Sequence, residues 1–530
     1  MTDPDAVVIG SGHNGLVAAN LLADAGWDVL VLEAQPDPGG AVRSGELTEP
    51  GFVHDRFSAF YPLAAASPVI GRLSLEDHGL RWRRAPLALG PPRGPDGAVA
   101  IATTLDATAA TLDADAAGDG AAWREVYREW ERLGADVVDA LLSPFPPVRA
   151  GVRLLSRLGP RGVLPFARFA VLPVRRYARE HFTGEGAALL LSGLTMHTDL
   201  GPDSAAGSIF GWLLAGIGQE RGFPVPEGGA GRLTDALVAR LATRGSSVRC
   251  GTRVTGIDVR AGRAAGVTCA DGTAIRARKA VLADTGAPAL YRELVGEEHL
   301  PASYLDSLRD FEYDHATFKV DWALDGPVPW AAEPLRLAGT VHVADSMDDL
   351  TRFAADLATG RLPEHPFLVL GQMTTTDPTR SPGGTETLWG YTHVPACVRG
   401  DNGGDLTGRW DGAEAERYAD RIEHEIERWA PGFRGLVRAR HVATPAGLEA
   451  ADANLVHGAV NGGTAQVHQQ LVFRPVPGLA RAETPVKRLF LASASAHPGG
   501  GVHGACGANA ARAAIAAERR ARLLGSVPGS

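Results

Sequence analysis

The sequence predicts an α/β fold in two domains. One is a Rossmann-like domain assembled from three separate chain segments, and the other is an α+β domain with a mixed or antiparallel sheet and a helical cap. The first fifty residues read strand, glycine-rich turn, helix, strand and acid, and two later blocks repeat parts of this pattern. A chain of 530 residues is too long for one simple core. These observations together predict the two-domain α/β organisation.

The turn at residues 10–15 is the most specific part of the pattern. It reads Gly-Ser-Gly-His-Asn-Gly between an apolar run at residues 6–9 and a segment of helical period. Gly10 permits the tight turn, Gly12 lets the backbone approach a pyrophosphate, and Gly15 lets the helix lie close to the strand. The N-terminus of such a helix offers free N–H groups and partial positive charge to phosphates, so the turn predicts dinucleotide binding.

The next strand and loop indicate which dinucleotide is bound. The strand at residues 29–32 ends at Glu33, which can accept hydrogen bonds from a ribose diol. Gly39 and Gly40 follow, and then Arg43. An acid followed by paired glycines and an arginine resembles the extended fingerprint of FAD-binding oxidoreductases. Paired glycines keep the loop thin where the cofactor passes, and Arg43 can meet phosphate charge. A plain surface arginine is the alternative for Arg43.

A second block, residues 224–285, is predicted to return the chain to the same sheet. A helix of apolar period at residues 233–241 precedes several strand-like pieces, and residues 279–284 read as a buried strand. In flavoproteins of this type, the segment around Val254 lies beside the adenine and its backbone can contact the base. A plain core strand is the alternative for Val254.

The third block, residues 489–517, again reads strand, glycine loop and helix. We expect Gly500, Gly501 and Val502 to border the flavin, because bare backbone lets the ring and a bulky substrate come close. The helix predicted after Gly507 should direct its N-terminus at the N1–C2 edge of the ring, where negative charge develops on reduction.

These blocks define the predicted domains. Residues 1–70, 225–300 and 485–525 are predicted to form the FAD-binding domain. Residues 71–224 and 301–484 are predicted to form the substrate domain. We expect the flavin ring at the interface between the two domains, which is where cofactor sites commonly lie.

Four stretches give the chain a specific resemblance, namely residues 8–15, 318–326, 473–475 and 494–504. They make the chain similar to the phytoene-desaturase-related FAD oxidoreductases, and most similar to the branch of the pyridine nucleotide-disulfide oxidoreductase domain-containing protein 2 type. The resemblance implies a flavin-linked desaturase, oxidase or isomerase-like activity. It leaves the substrate open, because the family covers carotenoid precursors and other small molecules.

The sequence also separates the chain from other flavoproteins. Residues 491–509 contain no Phe, Tyr or Trp, so this segment supplies no aromatic cage of the kind that amine oxidases place beside the flavin. The four cysteines are widely spaced and include no C-x-x-C pair, which argues against a disulfide reductase.

The expected chemistry is removal of a hydride from a substrate C–H to flavin N5, with loss of a neighbouring proton and formation of a double bond. The substrate is expected to be an apolar or natural-product-like small molecule. Two alternatives stay open, namely an FAD-dependent isomerase without net redox turnover and a non-catalytic FAD-binding scaffold protein. The electron acceptor stays open among oxygen, a quinone and a nicotinamide.

Candidate catalytic residues lie in the third block. His497 and His503 are the titratable groups best placed to border the ring, although a structural histidine bonded to backbone is an equal alternative for each. With Cys506 they lack a fourth ligand nearby, so no metal site is predicted. His197 and Asp199 are weaker candidates for contact with the substrate.

The segment at residues 149–179 is basic and amphipathic. It holds eight arginines, no lysine and no acid, with apolar residues between them. We expect Pro160, Pro165 and Pro173 to divide it into short helices. Such a segment can lie on an anionic bilayer, and a solvated helix face or a partner interface is the alternative. The apolar stretch at residues 205–217 can line a substrate tunnel or form a core helix.

The bulk composition sets further expectations. A net charge of −9 argues against nucleic-acid binding. The unpaired cysteines and the absence of a leader pattern favour a reducing, cytoplasmic setting, with peripheral membrane contact through residues 149–179 as an open alternative. The oligomeric state is left open.

Overall fold

The computed structural model describes residues 3–94, 96–478 and 480–525. Its strands, in chain order, are β1 Ala6–Ile9, β2 Val29–Leu32, β3 Ser44–Glu46, β4 Val53–Asp55, β5 Trp82–Arg83, β6 Leu87–Gly90, β7 Pro92–Arg93, β8 Gly97–Ala98, β9 Ile101–Ala102, β10 Val225–Pro226, β11 Ser247–Arg249, β12 Val254–Arg260, β13 Arg263–Cys269, β14 Ala274–Arg276, β15 Ala280–Ala283, β16 Ala316–Leu324, β17 Ala338–Val343, β18 Arg361–Leu362, β19 Leu368–Gln372, β20 Glu386–Val394, β21 Gly400–Asp401, β22 Val437–Ala443 and β23 Leu489–Leu491.

The helices alternate with these strands at the N-terminus and gather into a cap further along. They are α1 His13–Asp24, α2 Pro62–Ala66, α3 Pro68–Gly71, α4 Leu105–Asp115, α5 Asp119–Leu142, α6 Val148–Val171, α7 Val174–His181, α8 Glu185–Thr195, α9 Gly207–Arg221, α10 Gly231–Ala242, α11 Ala302–Arg309, α12 Met347–Ala358, α13 Met373–Thr376, α14 Gly412–Trp429, α15 Phe433–Leu436, α16 Pro445–Ala451 and α17 Ala505–Gly525.

The first sheet is parallel, five-stranded and drawn from distant parts of the chain. Its order is β11-β2-β1-β15-β23, with β1 between β2 and β15. The strands β1 and β15 are fully buried, as expected when helices cover both faces of a parallel sheet. This is the Rossmann-like architecture that the sequence predicted, and the fold class is confirmed.

Helices α1 and α17 pack together against this sheet. A Cβ at Gly507 would lie 1.9 Å from the carbonyl oxygen of Asn14, so the two backbones touch where they cross. Helix α17 begins at Ala505, three residues before the predicted start, and its alanine-rich sequence suits both helix formation and this close approach.

The second sheet is mixed and seven-stranded, with the order β22-β16-β20-β19-β17-β6-β9. Only the β17–β6 pairing is parallel. Alternate residues of β16, such as Phe318 and Trp322, pack on the outer side with Tyr418 of α14. Residues between them, including Lys319, point to the inner side, where the sheet contacts the segment that follows β4.

Helices α4 to α9 form the cap. In α6 the helical path is interrupted at Gly159, whose φ is +62°, and Pro160 begins the next helical stretch. Pro165 lies inside the helix and does not divide it, which corrects the prediction for this residue. The break occurs where glycine can take a positive φ. Most of α9 is buried in the core of the cap, so residues 205–217 form mainly a core helix.

Candidate functional site

The first glycine turn lies at the carboxyl end of β1. Gly10 has a φ of +90°, and the N–H of Gly15 donates to Asp284 Oδ2 at 2.8 Å. A Cβ at Gly12 would lie 2.7 Å from the same carboxylate oxygen. Gly12 is the N-cap of α1 and has no side chain of its own, so the Asp284 carboxylate supplies the acceptor in the first turn of the helix. The turn is therefore thin, and it leaves a helix N-terminus facing the loop formed by residues 39–43.

Glu33 lies at the end of β2, beside this turn. Its Oε2 accepts hydrogen bonds from the backbone N–H of Ser11 at 2.9 Å and from the Ser11 hydroxyl at 2.7 Å, and its Oε1 accepts from Gln35 N–H at 2.8 Å. A carboxylate has about four acceptor positions and three are used here, so one position on Oε1 is left for a ribose hydroxyl. These bonds hold the carboxylate in one orientation.

The paired glycines lie directly on the first turn. Gly39 forms an isolated bridge with Gly12, and a Cβ at Gly40 would lie 3.0 Å from the Gly12 Cα. Arg43 donates from Nε to the Gly40 carbonyl at 2.8 Å and from its NH2 group to the Ala451 carbonyl at 2.9 Å. Its guanidinium lies 5.2 Å from the centroid of the Phe57 ring. Arg43 is thus bonded to the backbone of two segments rather than free at the surface, and its contact with phosphate stays a prediction.

Val254 lies at the start of β12 and is buried in the core cluster that also contains Leu32. The segment just before β12 is bonded to Glu33, because the Thr252 N–H donates to the Glu33 carbonyl at 2.7 Å. Val254 therefore lies near the acid that is predicted to bind ribose, as a position beside the adenine requires.

The C-terminal glycine loop is enclosed by distant segments. A Cβ at Gly500 would lie 2.8 Å from Asn461 Oδ1, and one at Gly501 would lie 2.9 Å from a methyl group of Leu63. Val502 is partly buried against the core of the cap. The predicted flavin-bordering residues therefore contact Asn461, which was predicted to belong to the substrate domain, and Leu63 in the segment after β4.

His503 caps helix α17. Its Nδ1 accepts the Ala505 N–H at 3.0 Å, and its own carbonyl accepts from the Ser67 hydroxyl at 2.7 Å. Burial lowers the pKa of His503 to about 3, with a further lowering from His13. The imidazole is thus neutral near pH 7, and one of its ring nitrogens is committed to the helix.

His497 connects the glycine loop to the cap. Its Nε2 donates to the Ser143 carbonyl at 3.2 Å, and its ring lies 6.1 Å from that of Phe145 between centroids. Burial lowers the pKa of His497 to about 4, while the Ser143 carbonyl opposes that shift. Both histidines therefore have structural partners, and a catalytic role for either stays a prediction.

Arg474 is a buried clamp that sequence reasoning did not assign to the site. Its guanidinium donates to the carbonyls of Thr464 at 2.9 Å, Asn461 at 3.1 Å and Ala494 at 2.7 Å. It thereby joins the segment at residues 461–464 to the strand end that precedes the glycine loop. The only sequence signal was its place in the family stretch at residues 473–475.

Asp284 is a second unforeseen residue of the site. Burial raises the pKa of this carboxyl to about 7, the Gly15 N–H opposes that shift, and Asp452 and Glu33 add repulsion. Asp284 ends the strand that was predicted for residues 279–284, but nothing local to that strand shows that its side chain reaches the first glycine turn.

An apolar wall reaches the C-terminal glycine loop through Leu63, and its members belong to one apolar cluster that also includes Val502. Leu63 contacts Gly501, and the neighbouring Phe60 ring meets Trp389 on the inner side of the seven-stranded sheet at 6.5 Å between centroids. Tyr391 continues the wall, 5.2 Å from Trp389 between ring centroids. Gly371 makes room for Phe60, since a Cβ there would lie 2.4 Å from the Phe60 ring.

A buried charged cluster lies behind this wall. Lys319 pairs with Asp321, and His54 Nδ1 lies 3.6 Å from the second Asp321 oxygen. The Lys319 ammonium is 5.9 Å from the Trp389 ring centroid. Burial lowers the pKa of Lys319, and Asp321 opposes that shift. A buried cation held next to an aromatic wall is a candidate functional group that the sequence did not reveal.

The two weaker candidates, His197 and Asp199, lie in different surroundings. His197 turns into the sheet, where its Nε2 lies 2.8 Å from His342 Nε2. Asp199 borders a cavity of about 540 Å³ that His315 and His393 also line. It accepts hydrogen bonds from the Thr464 hydroxyl and from the Ala465 N–H. Of the pair, Asp199 is therefore the one that reaches an internal space.

The residues present fit FAD. The two glycine turns, the α1 N-terminus with its glycine N-cap and the oriented Glu33 carboxylate form a continuous thin-walled cradle. Asn14 Oδ1, at the start of α1, is buried without a hydrogen-bond partner among the described residues. In the same part of the chain, no group of three or more His, Cys, Asp or Glu side chains is arranged to hold a metal ion. No helix there is both long and apolar enough to span a bilayer.

Comparisons with known proteins agree with this geometry. The chain is 29% identical to the mouse (Mus musculus) pyridine nucleotide-disulfide oxidoreductase domain-containing protein 2, over 96% of this chain and 92% of that protein. It is 26% identical to a lycopene-forming phytoene desaturase of Paracoccus sp., over 96% of each chain. An oxidoreductase structure from Methanosarcina mazei shares the fold with a TM-score of 0.60, at 17% identity over 96% of this chain and 99% of that one.

The family comparison covers almost the whole chain. Residues 15–515 match the flavin-containing amine oxidoreductases. The resemblance found from the sequence is thereby confirmed, and FAD is the cofactor of this oxidoreductase. The chain belongs to the family of flavin-containing amine oxidoreductases.

Proposed function

We propose that this oxidoreductase desaturates an apolar substrate rather than oxidising an amine. The observation that carries the proposal is the apolar wall of Phe60, Leu63 and Trp389 beside the glycine loop. An apolar molecule placed there loses water from its own surface and from the wall, which favours binding. The similarity to a phytoene desaturase over 96% of the chain supports the same choice.

The chain positions the substrate and excludes water from it. Phe145 and Ser143 of the cap lie over His497, and Leu63 lies over Gly501. Bound FAD supplies the acceptor for the hydride that leaves the substrate carbon, as the neighbouring carbon loses a proton and the double bond forms. Holding substrate and cofactor together in this enclosed space contributes to rate through orientation.

The loop supplies weak bases. His497 and His503, with pKa values lowered to about 4 and about 3, are neutral near pH 7. His503 accepts the Ala505 N–H at Nδ1, so its proton is on Nε2 and it is the poorer proton acceptor of the two. His497 is therefore the better candidate for the departing proton, with direct loss to water as the other route.

Anaerobic spectrophotometry of the FAD-loaded protein tests the proposal. Phytoene in detergent micelles should bleach the flavin absorbance and yield a product with one more double bond, whereas putrescine should leave the spectrum unchanged. Bleaching by the amine alone would contradict the proposal. Isomerised phytoene at constant flavin absorbance would indicate the isomerase instead, and no response to either compound would favour a scaffold protein.

A further inference from the structure

Helix α6 carries an exposed apolar face that no described part of the chain covers. Six large apolar side chains on it are exposed to solvent, and Leu164 is 78% exposed. The other five are Val148, Val152, Leu155, Val163 and Val171. Half of the exposed large apolar side chains in the described part of the chain lie on this one helix. Such a concentration on one element marks an interaction surface.

The exposed residues form a stripe rather than a scatter. Val148, Val152 and Leu155 are spaced by four and three residues, so they share one helix face. Leu164 and Val171, beyond the break at Gly159, are spaced by seven residues and again share a face. The opposite side of α6 packs on the core through residues such as Leu158 and Phe169. The stripe thus points away from the protein.

Positive charge lies beside the stripe. Of the eight arginines at residues 149–179, five form ion pairs with acids of neighbouring turns or helices, namely Arg153, Arg157, Arg168, Arg175 and Arg176. Arg149 and Arg161 of α6, and Arg179 of the following helix α7, are exposed and form no ion pair with the described residues. No acid lies between residues 149 and 179 to oppose them. Uncompensated arginines next to an apolar stripe complement an anionic membrane surface.

The stripe is also close to the flavin loop. The loop that joins α5 to α6 carries Ser143 and Phe145, and both contact His497. A membrane bound to α6 would therefore lie one loop away from the residues that border the flavin. An apolar substrate dissolved in that membrane could enter the protein without crossing water, which ties this surface to the proposed function without depending on it.

We propose that α6 docks the protein on an anionic lipid bilayer, with the apolar stripe inserted at the level of the headgroups and Arg149, Arg161 and Arg179 on lipid phosphates. Leu155, Leu164 and these three arginines can be substituted without breaking a described ion pair or altering the FAD cradle. The surface can thus be tested apart from the chemistry.

Flotation of FAD-loaded protein with vesicles is the test. Vesicles of phosphatidylcholine with one third phosphatidylglycerol should carry the parent protein, and vesicles of phosphatidylcholine alone should carry much less. Leu155→Ser with Leu164→Ser should abolish flotation. The matched control is Leu337→Ser with Leu523→Ser, because those leucines are 53% and 70% exposed against 53% and 78% for the test pair.

A second variant tests the charge. Arg149→Gln, Arg161→Gln and Arg179→Gln together should weaken binding to anionic vesicles about a hundredfold, since each arginine at an anionic surface contributes roughly a fivefold factor. Arg72→Gln, Arg260→Gln and Arg519→Gln, at exposed positions elsewhere, should leave it unchanged. Flavin content and circular dichroism verify that each variant is folded.

Three results would overturn the proposal. They are parent protein that stays at the bottom with anionic vesicles, flotation that survives the leucine pair, and equal losses in test and control variants. A parent that sediments as a dimer and becomes a monomer on Leu155→Ser with Leu164→Ser, without vesicle binding, would assign the stripe to a second copy of the chain instead. None of these readouts needs a substrate, so they do not depend on whether desaturation is correct.

Discussion

The two glycine turns of the FAD site share one pattern of strand, glycines and helix, but they are held in different ways. The turn at residues 10–15 is held by the ends of its two neighbouring strands and by the loop at residues 39–40, and the Asp284 carboxylate accepts the Gly15 N–H in the first turn of its helix. The loop at residues 499–504 is held by several distant segments, and its helix is capped by His503. The first turn is a local motif, whereas the second is a junction of the whole fold.

The largest effect is expected where the two turns meet. Gly507→Ala would place a Cβ 1.9 Å from the Asn14 carbonyl, so helices α1 and α17 would have to separate. We expect a loss of more than about 3 kcal/mol in the free energy of unfolding, because the clash is with backbone that cannot rotate away. Chemical denaturation of the FAD-loaded protein measures this loss.

The control for Gly507 is Gly256→Ala, in β12 of the same domain. A Cβ at Gly256 meets nothing within 4 Å. This variant should unfold at nearly the parental denaturant concentration and keep its flavin. If the two variants were equally stable, the close crossing of α1 and α17 would be incorrect.

The next effect tests whether the C-terminal loop depends on distant contacts. Arg474→Met removes the donor that joins the carbonyls of Thr464 and Ala494. We expect a loss of about 2–3 kcal/mol, because buried carbonyls are left without partners. FAD should leave this variant at a lower temperature than the parent, as flavin fluorescence records. The control Arg276→Met, at a side chain that is 76% exposed, should release FAD like the parent.

The difference between the turns also explains what the sequence could predict. Gly10, Gly12, Gly15 and Glu33 lie within one strand–turn–helix–strand unit, and short-range spacing is enough to identify their roles. The partners of the C-terminal loop lie far away in the chain, since Leu63 follows β4 and Asn461 belongs to the second predicted insertion. Their contacts depend on the packing of two domains, which no local period encodes.

The basic segment at residues 149–179 and the buried cluster around Lys319 show the same limit of prediction from sequence. The basic character of residues 149–179 was visible in composition, but which arginines lack acidic partners depends on acids of neighbouring helices, such as Asp136 and Glu180. Lys319 lies within the family stretch at residues 318–326, yet only the pleat of β16 shows that its side chain points to the inner side of the sheet. Breaks at Pro160 and Pro165 were predicted from residue type, and the structure has one at Gly159, directly before Pro160, but none at Pro165.

A smaller effect is the pH dependence of stability that Asp284 gives to the first turn. Burial raises the pKa of Asp284 to about 7, above its unfolded value. Its protonated form stabilises the fold below the unfolded pKa, and that stability is lost as the pH rises through about 7. Asp284→Asn keeps an acceptor for the Gly15 N–H and removes the titration.

The parent should therefore lose stability against Asp284→Asn by about 1–2 kcal/mol between pH 6 and pH 8. Paired denaturation curves at the two pH values measure the change. Asp306→Asn, at an exposed carboxylate, should show no such trend. A constant difference between parent and Asp284→Asn at both pH values would mean that this carboxyl does not titrate against the turn.

The smallest effect concerns the histidine that caps the helix after the C-terminal turn. His503→Ala removes the acceptor for the Ala505 N–H and should cost about 1 kcal/mol, which is typical for loss of a helix cap. His503→Asn restores an acceptor oxygen near the same place and should recover most of this loss. If instead both variants were as stable as the parent but bleached far more slowly with a working substrate, His503 would act in the chemistry. The two turns would then differ in catalytic role as well as in packing.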